Sequence, residues 1–212
     1  MKKVKYIAPF ILTAVMLSAC SNDETQTSSD TDALVAQYVK YSDDDFYAAW
    51  QGSNFTNIDL NGSSAVADGP GGVVIEDGNI EIRTTGTYVI EGTLDDGQIV
   101  VNAEDAGTVR LILNGASITS STSAAIYIKQ ADQAVISLEA GTENVLTDAK
   151  EYVFASEEDE PSSTIFSKDD LSINGDGKLI VNANYNDGIV SRDEFIVTGG
   201  NIEINAKDDG IV

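Results

Sequence analysis

The sequence has no histidine, one cysteine and three prolines, and only 12 Lys and Arg stand against 35 Asp and Glu in 212 residues. Without histidine there is no Ser-His-Asp or Cys-His catalysis and no His-based zinc or iron site. A single cysteine forms no internal disulfide. The formal charge of −23 argues against nucleic acid as a partner, because phosphates are neutralised by clustered Lys and Arg. It argues equally against an electrostatic hold on an anionic membrane surface. What these absences leave is acidic, oxygen-rich chemistry, suited to Ca²⁺ or to a polar, uncharged or cation-bridged ligand. A hydrophobic content of 42% is ordinary for a globular protein, so the excess charge is not the mark of a disordered chain. The length accommodates one domain of about 150–180 residues with small appendages.

Lys2, Lys3 and Lys5 precede an apolar run from Tyr6 to Leu17, then Ser18, Ala19 and Cys20. That is the layout of a secretory leader over residues 1–19. Its apolar run is too short for a comfortable transmembrane helix. Leu17-Ser18-Ala19-Cys20 resembles the lipobox of bacterial lipoproteins, which implies lipidation of Cys20 as the first mature residue. The protein is then expected to be extracytoplasmic and membrane-anchored, at the cell surface or facing the periplasm. An ordinary secretory signal ending near a Cys is the alternative. Cleavage before Cys20 removes three Lys and no acid, taking −23 to −26. Acyl chains supply membrane affinity without a basic patch.

Residues 21–32 contain no apolar side chain and read, with Cys20, as a solvated tether (20–32). Residues 33–57 read as an N-terminal capping segment. They hold a short amphipathic piece (33–41), the acids Asp43-Asp44-Asp45, and the aromatics Phe46, Tyr47, Trp50 and Phe55. The aromatics either cap the first apolar layer of the domain or, through Trp50 and Tyr47, offer a sugar-stacking platform.

From Ile58 the texture changes. Short β-branched runs such as Val73-Val74-Ile75, Ile99-Val100-Val101 and Leu179-Ile180-Val181 alternate with Gly, Asn and Asp, the signature of short strands and turns. The runs recur. Ile165–Ile173 matches Ile189–Val197 at an offset of 24, Leu179–Ala183 matches Ile202–Ala206 at 23, and Asn186–Val190 matches Asp208–Val212 at 22. Leu111–Gly115 falls 24 before Val135–Glu139. A period of this size with several short strands points to a solenoid. The expectation is an all-β parallel β-helix over 58–212, with roughly six or seven coils of about 22–25 residues. A β-sandwich also has short strands but does not predict recurrence at a fixed offset. The acid run Glu157-Glu158-Asp159-Glu160 interrupts the repeat and is expected to loop out.

Several runs together resemble a known family. They are Asp96–Ala103, Leu113-Asn114-Gly115, Ala124–Lys129, Gly141–Asn144, and the stretch from Phe166–Leu171 through Asn184–Ile189. In this order, over about residues 55–212, they resemble the bacterial carbohydrate-binding domain-containing family of cell-surface β-helix proteins. The resemblance implies a right-handed parallel β-helix similar to polysaccharide lyases, bound Ca²⁺, and binding of cellulose or of pectin-like polygalacturonate. Members of the family are longer, and this chain stops at Val212 in mid-repeat. A truncated chain is therefore expected, the alternative being that the last strand is itself the edge.

Stacked repeats place equivalent positions about 4.8 Å apart. The 24-residue match sets Asp169 beside Asp193, and the 22-residue match sets Asp187 beside Asp209 and Asn186 beside Asp208. Carboxylates held that close repel unless a cation lies between them. With Asn184 and Asn186 they offer the ligand mix of Ca²⁺. Against this stands the suitability of Asp and Asn for turns in their own right. Lys168 and Arg192 also fall together, compatible with ion pairing, with binding of a uronate, or with the base of a lyase. Tyr127, Tyr152, Tyr185 and Trp50 are the visible aromatic candidates for sugar contact. The expected function is non-catalytic binding of polysaccharide with Ca²⁺ as structural or bridging ion. A lyase-like enzyme and a purely structural surface solenoid are the alternatives.

Overall fold

A computed structural model describes residues 2–7, 40–154 and 161–212. The strands are β1 (Lys2–Ile7), β2 (Thr56–Gly62), β3 (Ala65–Asp68), β4 (Val73–Glu76), β5 (Asn79–Ile82), β6 (Gly86–Leu94), β7 (Gln98–Asn102), β8 (Thr108–Thr119) and β9 (Ile126–Gln130). They continue with β10 (Gln133–Leu138), β11 (Glu143–Thr147), β12 (Ser163–Ser167), β13 (Asp170–Gly175), β14 (Lys178–Ala183), β15 (Asp187–Ser191), β16 (Phe195–Val197) and β17 (Asn201–Ala206). The one helix among the described residues is a single 3₁₀ turn, Asp43–Asp45. Cys20, the tether and residues 33–39 lie outside the described residues, as do Glu157, Glu158, Asp159 and Glu160. Of the leader, only β1 is described.

The strands form two sheets. The larger has eleven, with a main path β1-β17-β14-β11-β8-β10-β13-β16 and with β6, β2 and β3 branching from β8. The smaller has six, in the order β15-β12-β9-β7-β5-β4. β8 pairs with β10 through Thr108–Leu113 and with β11 through Ser117–Thr119, so one long strand ties two arms of the larger sheet together.

Both sheets are mixed, and this corrects the expected right-handed parallel β-helix of six or seven uniform coils. β1–β17, β2–β3 and β4–β5 pair antiparallel; parallel pairing is confined to the ladders between them. The physical reason is local turn chemistry, which a repeat comparison does not see. β4 and β5 are joined by Asp77-Gly78, both with positive φ (48° and 79°). That backbone suits a two-residue hairpin and forces antiparallel pairing.

The repeat offsets do appear as register. Ile165 pairs with Ile189, Leu179 with Ile202 and Ile189 with Ile211, at 24, 23 and 22 residues. Leu111, however, pairs with Ile136, not Val135. A one-residue slip would turn every side chain to the wrong face, and the buried partner of Leu111 is Ile136.

In-register pairing stacks like on like. Ile80, Ile99, Ile126, Ile165 and Ile189 form one fully buried column through the smaller sheet. Leu94, Ile118, Leu146, Val181 and Ile204 form another through the larger. Each such side chain stabilises by about 1.5–3 kcal/mol relative to exposure. These columns are the core.

The segment 42–55 lies as a strap against the larger sheet. The carboxylate of Asp44 accepts from Arg110 Nη2 (2.9 Å) and Thr108 Oγ1 (2.6 Å). Glu139 accepts from Tyr47 Oη and Trp50 Nε1, each at 2.7 Å. Asp45, only 1% exposed, accepts from Ser42 N (2.6 Å), Gln133 Nε2 (2.8 Å) and Ser172 Oγ (2.5 Å). Its backbone carbonyl accepts from Thr198 Oγ1. Burial alone would push the Asp45 carboxyl up; the donors from Ser172, Ser42 and Gln133 outweigh it and hold the group below its ordinary value of 3.8. A depressed folded value means stability that is present above pH 3.8 and lost as pH falls through the folded value. Asp45→Ala leaves three donors unpaired and should cost about 2–4 kcal/mol. Hydrogen exchange across residues 42–55 should rise in this variant at pH 7, and in the wild type only below pH 3.8. Unchanged protection in the variant would contradict the strap's dependence on Asp45.

Candidate functional site

β15 begins at Asp187, and the chain leaves β17 into a turn carrying Asp208 and Asp209. The parallel bridge Ile189–Ile211 brings that turn beside the start of β15. Carboxylate oxygens of Asp187, Asp208 and Asp209 lie within 4.8 Å of one another, Asp187 buried and the other two exposed. Asp209 N donates to Asp187 Oδ1 (3.1 Å) and Asn186 Nδ2 to Asp187 Oδ2 (2.9 Å). Backbone bonds from Gly188 N to Asp209 O and from Asp208 N to Asn186 O close the two turns on each other. Gly188 is required here by close approach, since a Cβ would come 2.5 Å from Gly210 O and 2.4 Å from Ile204 Cγ2. None of the ion pairs formed by the described residues reaches the three acids. Three carboxylates at this separation favour uptake of a cation, and a hard divalent ion with oxygen ligands fits the donor set.

The remaining expected ligands sit apart from this group. Asn184 donates its N–H to Asp148 Oδ1 (2.5 Å) and its Nδ2 to Asp148 O (2.9 Å). Asn186 lies in the group as a hydrogen-bond donor. Asp169 accepts from Ala131 N (2.9 Å), fastening its turn to the preceding rung. Asp193 is exposed in the turn after β15. Neither Asp169 nor Asp193 joins the three-acid group.

The aromatic candidates are mostly covered. Tyr127, 4% exposed, packs with Ala124, Phe166 and Val190 in a second apolar cluster on the outer side of the smaller sheet. Lys168 Nζ lies 5.6 Å from the Tyr127 ring centroid and Arg192 Cζ 5.5 Å from that of Phe166. Both are cation–π geometries. Tyr185 stacks on Tyr152, centroids 4.1 Å apart and rings 17° from parallel. Trp50 is taken up by the strap, donating to Glu139 and meeting Phe55 edge-on at 5.0 Å.

One functional-looking group escaped sequence reasoning. Asp148 is 2% exposed and accepts from Tyr152 Oη (2.8 Å) as well as from Asn184. Tyr152 Oη also lies 3.0 Å from Ser163 O. Burial, only partly offset by the Asn184 N–H and Tyr152 hydroxyl, raises the Asp148 carboxyl. Burial and the Asp148 charge push the Tyr152 phenol far up. The only available signal was one acid between apolar residues, Val145-Leu146-Thr147-Asp148-Ala149.

Comparison with known proteins bears on this geometry. Residues 76–212 match the family described as carbohydrate-binding domain-containing protein, which is well over half of the chain. The chain belongs to this family. A curated relative of that description from Acetivibrio thermocellus is 42% identical over 141 residues, covering 66% of this chain and 49% of the relative. The chain thus spans about half the length of the curated relative it matches. Among solved structures, the gadolinium derivative of a polysaccharide lyase-like protein from C. thermocellum is similar, with a TM-score of 0.67 and 40% identity. That likeness covers 69% of this chain and 60% of that one.

Asp148 gives a pH test. A folded value raised above 3.8 means a contribution to stability that is fully present below pH 3.8 and lost as pH rises through the folded value. Asp148→Asn keeps an acceptor for Asn184 N and removes the charge. Its melting temperature relative to wild type should therefore climb between pH 3.8 and neutrality. A difference flat with pH would contradict a buried, disfavoured charge.

Proposed function

We propose that this protein is a non-catalytic, lipid-anchored, extracytoplasmic binder of plant-type polysaccharide, cellulose or polygalacturonate. Ca²⁺ held by Asp187, Asp208 and Asp209 serves as its structural or bridging ion. The observation that carries the reading is the three-carboxylate group, built from two turns 22 residues apart and lacking a basic partner within ion-pair reach. Family membership supports carbohydrate as the ligand. The leader and the Leu17–Cys20 run support the anchor. A chain of −23 repels an acidic glycan, and a cation shared between protein carboxylates and uronate removes that repulsion.

Two features support binding without reaction. Lys168 and Arg192 lie over aromatic rings, which favours their protonated, positioning state over a free base. Asp148, the carboxyl whose value is raised, is buried beneath Tyr152 and bonded to backbone, away from any bound sugar. The similar polysaccharide lyase-like structure gives the second reading, a lyase. Unsaturated product from polygalacturonate with Ca²⁺ would decide for it.

A pull-down panel tests the first reading. Polygalacturonate should retain the protein with Ca²⁺ and release it in chelator. Asp208→Asn with Asp209→Asn should weaken the Ca²⁺-dependent retention by about tenfold or more, the loss of two charge-assisted contacts. Retention that persists in chelator would contradict the bridging ion.

A further inference from the structure

The larger sheet carries a polar ladder on its outer side. Thr147, Asn182 and Asn205 are in register across β11, β14 and β17. Their neighbours Leu146, Val181 and Ile204 point into the core, and the three ladder residues are half-buried. Asn205 Nδ2 donates to Asn182 Oδ1 and Asn182 Nδ2 to Thr147 Oγ1, each at 3.2 Å. These bonds run along the ladder and use one N–H of each amide. Each amide keeps a second N–H, and Asn205 keeps its carbonyl oxygen, with no partner among the described residues. Asn184 and Lys207 stand beside the ladder, and together these side chains line a groove of about 410 Å³. Asn184 is oriented by its two bonds to Asp148.

The groove's chemistry is unlike that of the rest of the molecule. In a chain with 35 acids, no carboxylate lines it. Its amides and hydroxyl both donate and accept, which matches sugar hydroxyls and wastes half its capacity on an ion. Rungs at about 4.8 Å give three rungs a reach of about 10 Å, suited to a short run of sugar rings. The turns that carry Asn184 and Lys207 lead directly into Asn186, Asp187 and Asp208. An anionic sugar lying here would therefore meet the acid group, whereas a neutral one would not be repelled.

We infer that this groove seats an uncharged, hydroxyl-rich saccharide segment, with the Thr147–Asn182–Asn205 ladder as its recognition surface. The inference rests on the carbohydrate-binding reading and adds that neutral-glycan binding is independent of the divalent ion. The test is retention of the full chain on a neutral β-glucan and on polygalacturonate, each with Ca²⁺ and with chelator. The variants are Asn205→Asp, which keeps the size and reverses the hydrogen-bonding sense, and Asn182→Ala. Wild type should bind the neutral glucan equally in both conditions. Both variants should lose about tenfold or more of that binding while keeping Ca²⁺-dependent retention on polygalacturonate. That retention also reports that they remain folded. Neutral binding unchanged in both variants overturns the groove. Wild-type retention on polygalacturonate alone also overturns it, while leaving the proposed function standing. Retention on neither glycan overturns both.

Discussion

Everything else in the molecule depends on the in-register parallel pairing that returns the chain to the same position every 22–25 residues along much of its length. Because equivalent residues stack about 4.8 Å apart, a column is the unit of selection here. Inward columns are Ile, Leu and Val, fully buried through both sheets. Their apolar burial holds the register, since a slip of one residue would turn each core column to solvent. Outward columns inherit that register without contributing to it, and so they are where chemistry is placed.

Three outward columns differ in kind. One ends in carboxylates that converge within 4.8 Å. One is amide and hydroxyl, bonded along its own length. One is apolar, Val100, Tyr127, Phe166 and Val190, with Lys168 and Arg192 over two of its rings. Asp148 joins the first two to the apolar one: it orients Asn184 beside the amide ladder and anchors Tyr152, whose ring packs on Tyr185 and on the apolar cluster. The acid that gives the site its shape is thus distinct from the acids that give it charge.

Legibility followed the same division. Offsets of 24, 23 and 22 were readable because identical residue patterns recur, and they emerge as strand register. Asp187 beside Asp209 followed from them. The Leu111 alignment slipped by one because both Val135 and Ile136 are apolar, so pattern alone did not separate them. Ile126 pairs with Ile165, 39 residues on, because the chain between β11 and β12 carries extra length, part of which the acid run occupies. The uniform parallel helix failed where Asp77-Gly78 turns the chain back on itself. The strap was unreadable because its bonds join residues 64 to 153 apart, and nothing local in Asp44 or Asp45 names Arg110, Ser172 or Thr198. Tyr127 and Trp50 look like sugar platforms in sequence; burial and the bond to Glu139 take them out of contact with solvent.

The central claim is that register, by bringing Asp187, Asp208 and Asp209 together, makes a divalent-ion site. Isothermal titration of Ca²⁺ into the chelator-treated protein tests it most directly. The account predicts saturable binding that raises the melting temperature and is abolished by Asp187→Asn, while Asp169→Asn and Asp193→Asn leave it unchanged. Binding that survives Asp187→Asn, or that is lost equally on changing Asp169 or Asp193, would contradict it.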